Sequence, residues 1–292
     1  MKILLPTALR GLCLGLCLLF GGCAGAPALQ DVRDFAAESS SLSGYAELSQ
    51  RFRDTYPREQ PYLSAAADQR ERVLDSVRRQ QYADALNIEK SVKLYLDVLA
   101  ALAGEGQYDL TDEVKGLGSA IKAWPDTGIE DSHVNAYTQM ASLLARTLGA
   151  PRQQRAVQTM VRDGRQPLQQ LLAAMAALLR YYDKSNANER NLVLGVFEVE
   201  IPFADTAPNR LLTTLAKAQQ QSKAAEYRLA ERDYRLAEHN LAVIAQAQQA
   251  LAQLLAQPDD AAARGALQAA SRQLRLNRAA LHVSLRAAEP IP

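Results

Sequence analysis

The sequence predicts an all-α protein: an elongated helical bundle that ends in a long antiparallel helical hairpin. Three observations predict it. Ala and Leu dominate the apolar residues and Gln and Arg are abundant, so strong helix formers fill most positions. Apolar residues recur at spacings of three and four over long stretches, the period of a helix with one buried face. Pro and Gly gather between these stretches, and none occurs from Asn209 to Gln257.

The N-terminal segment stands apart from that pattern. Lys2 and Arg10 are its only charges before Asp31, and between Arg10 and Cys23 the chain is apolar throughout. That run is well short of the ~20 residues a spanning helix needs, and with its positive start and small terminal residues it reads as an export signal. Leu19-Phe20-Gly21-Gly22-Cys23 resembles the lipobox of bacterial lipoproteins, although Phe20 stands where that family has a smaller aliphatic residue. The resemblance implies cleavage between Gly22 and Cys23 and attachment of diacylglycerol to the Cys23 thiol. Ala24, by the sorting rules of the same family, implies the outer membrane. The other two cysteines, Cys13 and Cys17, would leave with the signal, so the mature chain would hold no disulfide and no thiolate metal site. The expected organisation is a signal over residues 1–22, lipidated Cys23 and an Ala/Gly/Pro tether over 23–30, a helical bundle over 31–205 and the hairpin over 206–292.

Along the body, a first helix is expected from Asp31, with Phe35, Leu42, Tyr45, Leu48 and Phe52 on one side. Pro57 and Pro61 break it. A second helix runs from about Pro61 to Ala103 on a seam of Leu74, Val77, Gln81, Ala85, Ile88, Val92, Tyr95, Leu99 and Leu102. Thr111 caps a short helix to about Ala123, Trp124 to Gly128 is a turn, and Ser132 caps a helix that Gly149 closes. Pro151 opens the next. Asp163-Gly164 marks a break and Pro167 a new start, with Leu168, Leu171, Met175, Leu178 and Tyr182 buried. Residues 191–203 mix strand and helix spacing and are read as helix, since no other segment offers a strand to pair with. Pro208 and Asn209 open the long helix, with a stripe of Leu211, Leu215, Ala218, Ser222, Ala225, Leu229, Leu236, Val243, Ala247 and Leu254. Pro258-Asp259-Asp260 turns the chain into a returning helix buried through Ala263, Leu267, Ala270, Leu274, Leu281 and Leu285.

Charge narrows the function classes. From 33 basic residues the loss of Lys2 and Arg10 leaves 31 against 32 acidic, a net charge of −1. That balance argues against nucleic acid as a partner. The sequence has no phosphate loop, nucleophile elbow, zinc helix or calcium loop. His133, His239 and His282 are isolated from one another and read as surface or interface residues. Two acidic groupings are the candidate chemistry: Asp126, Glu130 and Asp131 around a turn, and Glu198, Glu200 and Asp205 beside the 191–203 run. Both read more simply as helix-start and solvated acids. The stretch 217–257 has the composition of the helical hairpins of outer-membrane efflux ducts and their adaptors, but the β-barrel and lipoyl-like segments of those families are missing. No cofactor and no metal are expected. The expectation is a lipid-anchored envelope scaffold or adaptor with a protein partner. An inhibitor or immunity lipoprotein is the alternative, and an envelope-acting enzyme the third.

Overall fold

The computed structural model describes residues 25–104, 110–117, 120–147 and 154–287; Gly22 and Cys23 lie outside them. Among the described residues 89% are helical and there is no strand, which makes 191–203 helix. The helices are α1 (Gly25–Ser39), α2 (Tyr45–Arg53), α3 (Thr55–Glu59), α4 (Ala65–Ala103), α5 (Thr111–Lys115), α6 (Asp131–Thr147), α7 (Gln154–Ala204), α8 (Arg210–Ala256) and α9 (Ala261–Ala287).

Helices α7 and α8 form the spine. They contain 51 and 47 residues, about 76 and 70 Å at ~1.5 Å per residue. They run antiparallel without a slip in register. Gln158 Nε2 donates to Leu255 O at one end, Arg180 meets Glu238 and Tyr227 meets Glu189 further along, and Thr213 Oγ1 donates to Ala204 O beside the turn. Helix α9 returns along α8, and α4 packs between α1 and α7. The core lies where these layers meet: Val32 and Phe35 of α1, Ile88, Val92, Tyr95 and Leu99 of α4, and Leu171, Met175 and Tyr182 of α7 are all buried.

Several boundaries differ from the sequence expectation, each for a local physical reason. The helix expected from Asp31 to Phe52 is two helices. A Ser-rich turn follows Ser39, where Ser40 Oγ donates to Ala37 O, and Gly44 sits at φ 79°, a left-handed conformation glycine adopts without strain. Its five marker side chains are buried all the same. The tether expected over 23–30 is, from Gly25 onward, the first turns of α1, because Ala28 is buried against the bundle. Pro57 and Pro61 do not stop helical geometry; Pro57 lies within α3 and Pro61 within a 3-10 turn. The second helix begins at Ala65, where the Ser64 hydroxyl accepts from the Ala67 amide. The helix expected from Thr111 to Ala123 ends at Lys115, with Gly116 beyond it.

The largest difference is in α7, which passes Asp163-Gly164 and Pro167 unbroken. Gly164 is a packing residue there. A Cβ at that position would overlap the Tyr95 ring, standing 2.9 Å from its Cζ. The helix keeps Pro167 inside at a usual cost of ~3 kcal/mol. Burial of Val157, Met160, Val161, Leu168, Leu171 and Leu172 on both sides of it, at ~1.5–3 kcal/mol for each large side chain, outweighs that cost.

Candidate functional site

The strongest cluster of chemistry-bearing side chains lies where α2 and α3 meet the α7–α8 pair. Glu189 is fully buried. Arg58 grips it in a two-point fork, Nε to Oε1 at 2.8 Å and Nη2 to Oε2 at 2.7 Å, and the Tyr227 hydroxyl donates to Oε1 at 3.0 Å. Charge-assisted forks of this kind are the strong ones. One turn away Arg51 Nη1 donates to Glu226 Oε1 at 2.9 Å, Lys223 Nζ donates to Glu226 Oε2 at 2.8 Å, and Arg51 Nη2 donates to Asn186 Oδ1 at 3.3 Å. Burial pushes the Tyr227 phenol far up, and the Glu189 carboxylate adds to that, so Tyr227 stays a protonated donor.

Beside this fork lies Glu59, also buried. Burial comes first, then the Glu71 and Glu189 carboxylates, in pushing it up to about 7 against the pull of Arg78 and Arg58. Glu89 in α4 is likewise pushed up to about 7, by burial and by Glu47. The arrangement can clamp four helices. With both Glu189 oxygens engaged by its own chain, it has the form of a structural ionic lock.

Sequence reasoning missed this cluster, although a signal for it exists. Tyr182, Asn186, Glu189 and Val193 continue the buried stripe of α7 at spacings of four, three and four, and all four are buried. Polar residues on an apolar seam are the mark of a buried network.

The residues singled out in the sequence lie apart. Asp126, Glu130 and Asp131 are exposed around the Trp124–Ile129 turn, where Gly128 has φ 86°. They start a helix: the Glu130 amide donates to His133 Nδ1 at 3.0 Å and the His133 amide returns to Glu130 O at 3.0 Å. Ser132, expected as the cap, is already helical. Burial lowers the His133 pKa, with Glu130 opposing, which suits a neutral imidazole acting as acceptor. Glu198, Glu200 and Asp205 are solvated near the α7–α8 turn, with Asp205 paired to Lys217 at 3.1 Å. His239 and His282 are exposed. Among the described residues no group of His, Cys, Asp and Glu could hold a metal ion, and no helix is long and apolar enough to cross a membrane.

A cleft of about 790 Å³ opens between α1 and α4, with Arg33, Lys90 and Lys93 over Leu94, Ala100 and Leu110. Its cations are committed, to Asp34, to Gly116 O and to Asp97 respectively. At the α7–α8 turn, Val199, Phe203, Leu211, Leu212 and Leu215 are exposed, Phe203 at 80%. At ~100° per residue, Leu211 and Leu215 stand on the side of α8 opposite Thr213, the residue that faces α7. The stripe expected on Leu211, Leu215, Ala218 and Ser222 is therefore the outer face of the helix.

Comparison with protein-family models, with curated proteins and with solved structures found no match.

Proposed function

We propose that the chain is a lipid-anchored helical scaffold or adaptor of a bacterial envelope, without catalytic activity, held in the outer membrane through Cys23 with its body toward the periplasm. The observation that supports this reading is the arrangement of the two ends of the spine. Asp31 of α1 binds Arg264 and Gln268 of α9, and Arg264 also donates to Pro258 O in the α8–α9 turn. Glu38, further along α1, meets Arg275 and Arg278 further along α9, so the two helices run parallel. The first turn of α1 therefore lies at the Pro258 end of α8. The exposed apolar residues around Leu211 lie at its other end, about 70 Å away. A chain tethered just before Gly25 would hold that apolar end clear of its own membrane. Exposed clusters of large apolar side chains mark contact surfaces on soluble bodies.

The test has two parts. Palmitate should label the protein in cells, and Cys23→Ala should abolish both the label and outer-membrane fractionation. The detergent-solubilised protein should also retain a stoichiometric envelope partner. Labelling that survives Cys23→Ala removes the anchor, and a protein that purifies alone from cross-linked envelopes removes the adaptor.

A further inference from the structure

The cleft between α1 and α4 exists because small residues line it. Ala37 and Ser40 of α1 face Ala100, Ala101 and Gly104 of α4, and Leu110 and Glu113 at α5 form the outer wall. Side chains of that size cannot fill the space between two helices to interior density, so about 790 Å³ stays open above the buried Leu94. The Arg33 stem crosses one end, its Cδ 3.3 Å from where a Cβ on Gly104 would stand.

The shape of the cleft selects its occupant. From Lys90 to Gly104 it follows α4 for about 21 Å at ~1.5 Å per residue. A volume of about 790 Å³ over that length makes a channel about 7 Å across. A partner helix, ~10 Å wide, does not fit, but a hydrocarbon chain does. The volume lies within the ~300–1,000 Å³ of small-molecule pockets. Among the described residues no aromatic ring lines it, so a planar ring system would find nothing to stack on.

Charge lies on the rim, where Arg33, Lys90 and Lys93 stand with Asp97 and Glu113, three bases to two acids. Lys90 and Lys93 are one turn apart on α4, at the end away from Gly104. The partners they hold leave them available. Lys90 donates to a neutral carbonyl, Gly116 O, and Lys93 meets Asp97 in an exposed one-turn pair. Exposed pairs of that kind add little to stability, so an incoming anion can take both ammonium groups at small cost.

We propose that this cleft binds a single-chain amphiphile: an acyl chain laid along Leu94, Ala101 and Leu110, with an anionic head, carboxylate or phosphate, at Lys90 and Lys93. The apolar walls take up the chain by removing it from water, and the two ammonium groups fix its direction. This ligand site stands apart from the scaffold reading, and neither depends on the other.

The experiment is photo-labelling of the purified full-length protein in phosphatidylcholine vesicles. The probes are palmitate and lysophosphatidylglycerol, each with a diazirine in mid-chain, and diazirine-bearing hexadecanol is the neutral control. An anionic probe should label peptides of α4 and α5 saturably, as mapped by mass spectrometry, and the alcohol should label them at least about tenfold less. Lys90→Glu/Lys93→Glu should cut the labelling at least about tenfold, and Lys90→Arg/Lys93→Arg should keep it. Ala37→Trp, which brings an indole into the channel from an exposed position, should block it. Circular dichroism and thermal unfolding of the lysine variants should match wild type, since both side chains hold only exposed contacts. Saturable labelling by palmitate, by the lysophospholipid or by both supports the site and names the head it takes. Adducts confined to the α7–α8 turn, equal labelling by the alcohol, labelling unchanged in Lys90→Glu/Lys93→Glu, or no saturable adduct would each overturn the proposal.

Discussion

Two single residues control measurable properties of the fold. Glu59 sits buried beside Glu71 and Glu189 and is pushed up to about 7. A carboxyl whose folded-state pKa lies above its unfolded value favours folding while it is protonated. Its contribution is fully present below the ordinary carboxylate pKa and disappears as pH rises through about 7. The urea midpoint should therefore fall between pH 5 and pH 8.5, by an amount worth up to about 3 kcal/mol before solvent screening. Glu59→Gln should flatten that slope, leaving the part that Glu89 supplies in the same pH window. A midpoint that rises with pH would show that another group dominates. Gly164 is the second such residue. In an exposed helix Gly→Ala gains up to ~1 kcal/mol, but here the new methyl meets the Tyr95 ring. Gly164→Ala should thus lose roughly 1–3 kcal/mol by overpacking, and Gly164→Ala/Tyr95→Leu should recover part of it. Equal stability of the two variants in chemical denaturation would mean that the ring is not what the methyl meets.

At the scale of the element, the α8–α9 contact shows how register is held. Asn277 Nδ2 donates to Asn240 Oδ1 at 2.7 Å, and Ser284 Oγ donates to Asp233 Oδ2 at 2.5 Å, in an otherwise Ala- and Leu-rich seam. All four residues are buried. Asn240→Ala should cost about 1–3 kcal/mol because the buried Asn277 Nδ2 loses its acceptor, while Oδ1 keeps its bond from Gln273. Asn240→Leu/Asn277→Leu should be close to neutral in stability but should broaden the NMR spectrum of α9, since nothing then fixes one register. A sharp spectrum from the double variant would count against a register role. The helices themselves were legible in sequence because their periodicity is a local property, and of the row expected on α9 Ala263, Leu267, Leu274 and Leu281 are buried and Ala270 and Leu285 half-buried. Gly164 was not, because a glycine signals a break and a close approach alike, and the partner that decides is Tyr95, far away in the chain. The start of α8 was misread for a related reason. Leu211 and Leu215 keep helical spacing, but α7 takes the opposite face there, through Thr213. The ionic lock escaped because Arg58 and Glu189 are distant in sequence, although Asn186 and Glu189 sat visibly on an apolar row.

For the molecule as a whole, the length of the spine sets the hydrodynamics. A compact chain of about 270 residues would have a radius of gyration of roughly 18–19 Å. With two helices of 51 and 47 residues side by side, the protein should scatter as a rod, with a value clearly above that and a maximum dimension near 75–80 Å. A monomer at the compact value would require the spine to fold back on itself. Charge is distributed just as unevenly. The net charge is near zero for the chain, yet α9 carries five arginines and no acid, and Asp31 and Glu38 of α1 answer three of them.

The unslipped pairing of α7 with α8, from Gln158–Leu255 to Thr213–Ala204, makes the protein a ruler whose two edges are graduated together. Adding about seven residues to α7 alone would shift every later contact by two turns and force a bulge. Adding them to both helices at facing positions would lengthen the rod by about 10 Å and leave each existing pair in place. The span from one end to the other can therefore change only in matched steps, and any partner measured against it would have to change by the same increment.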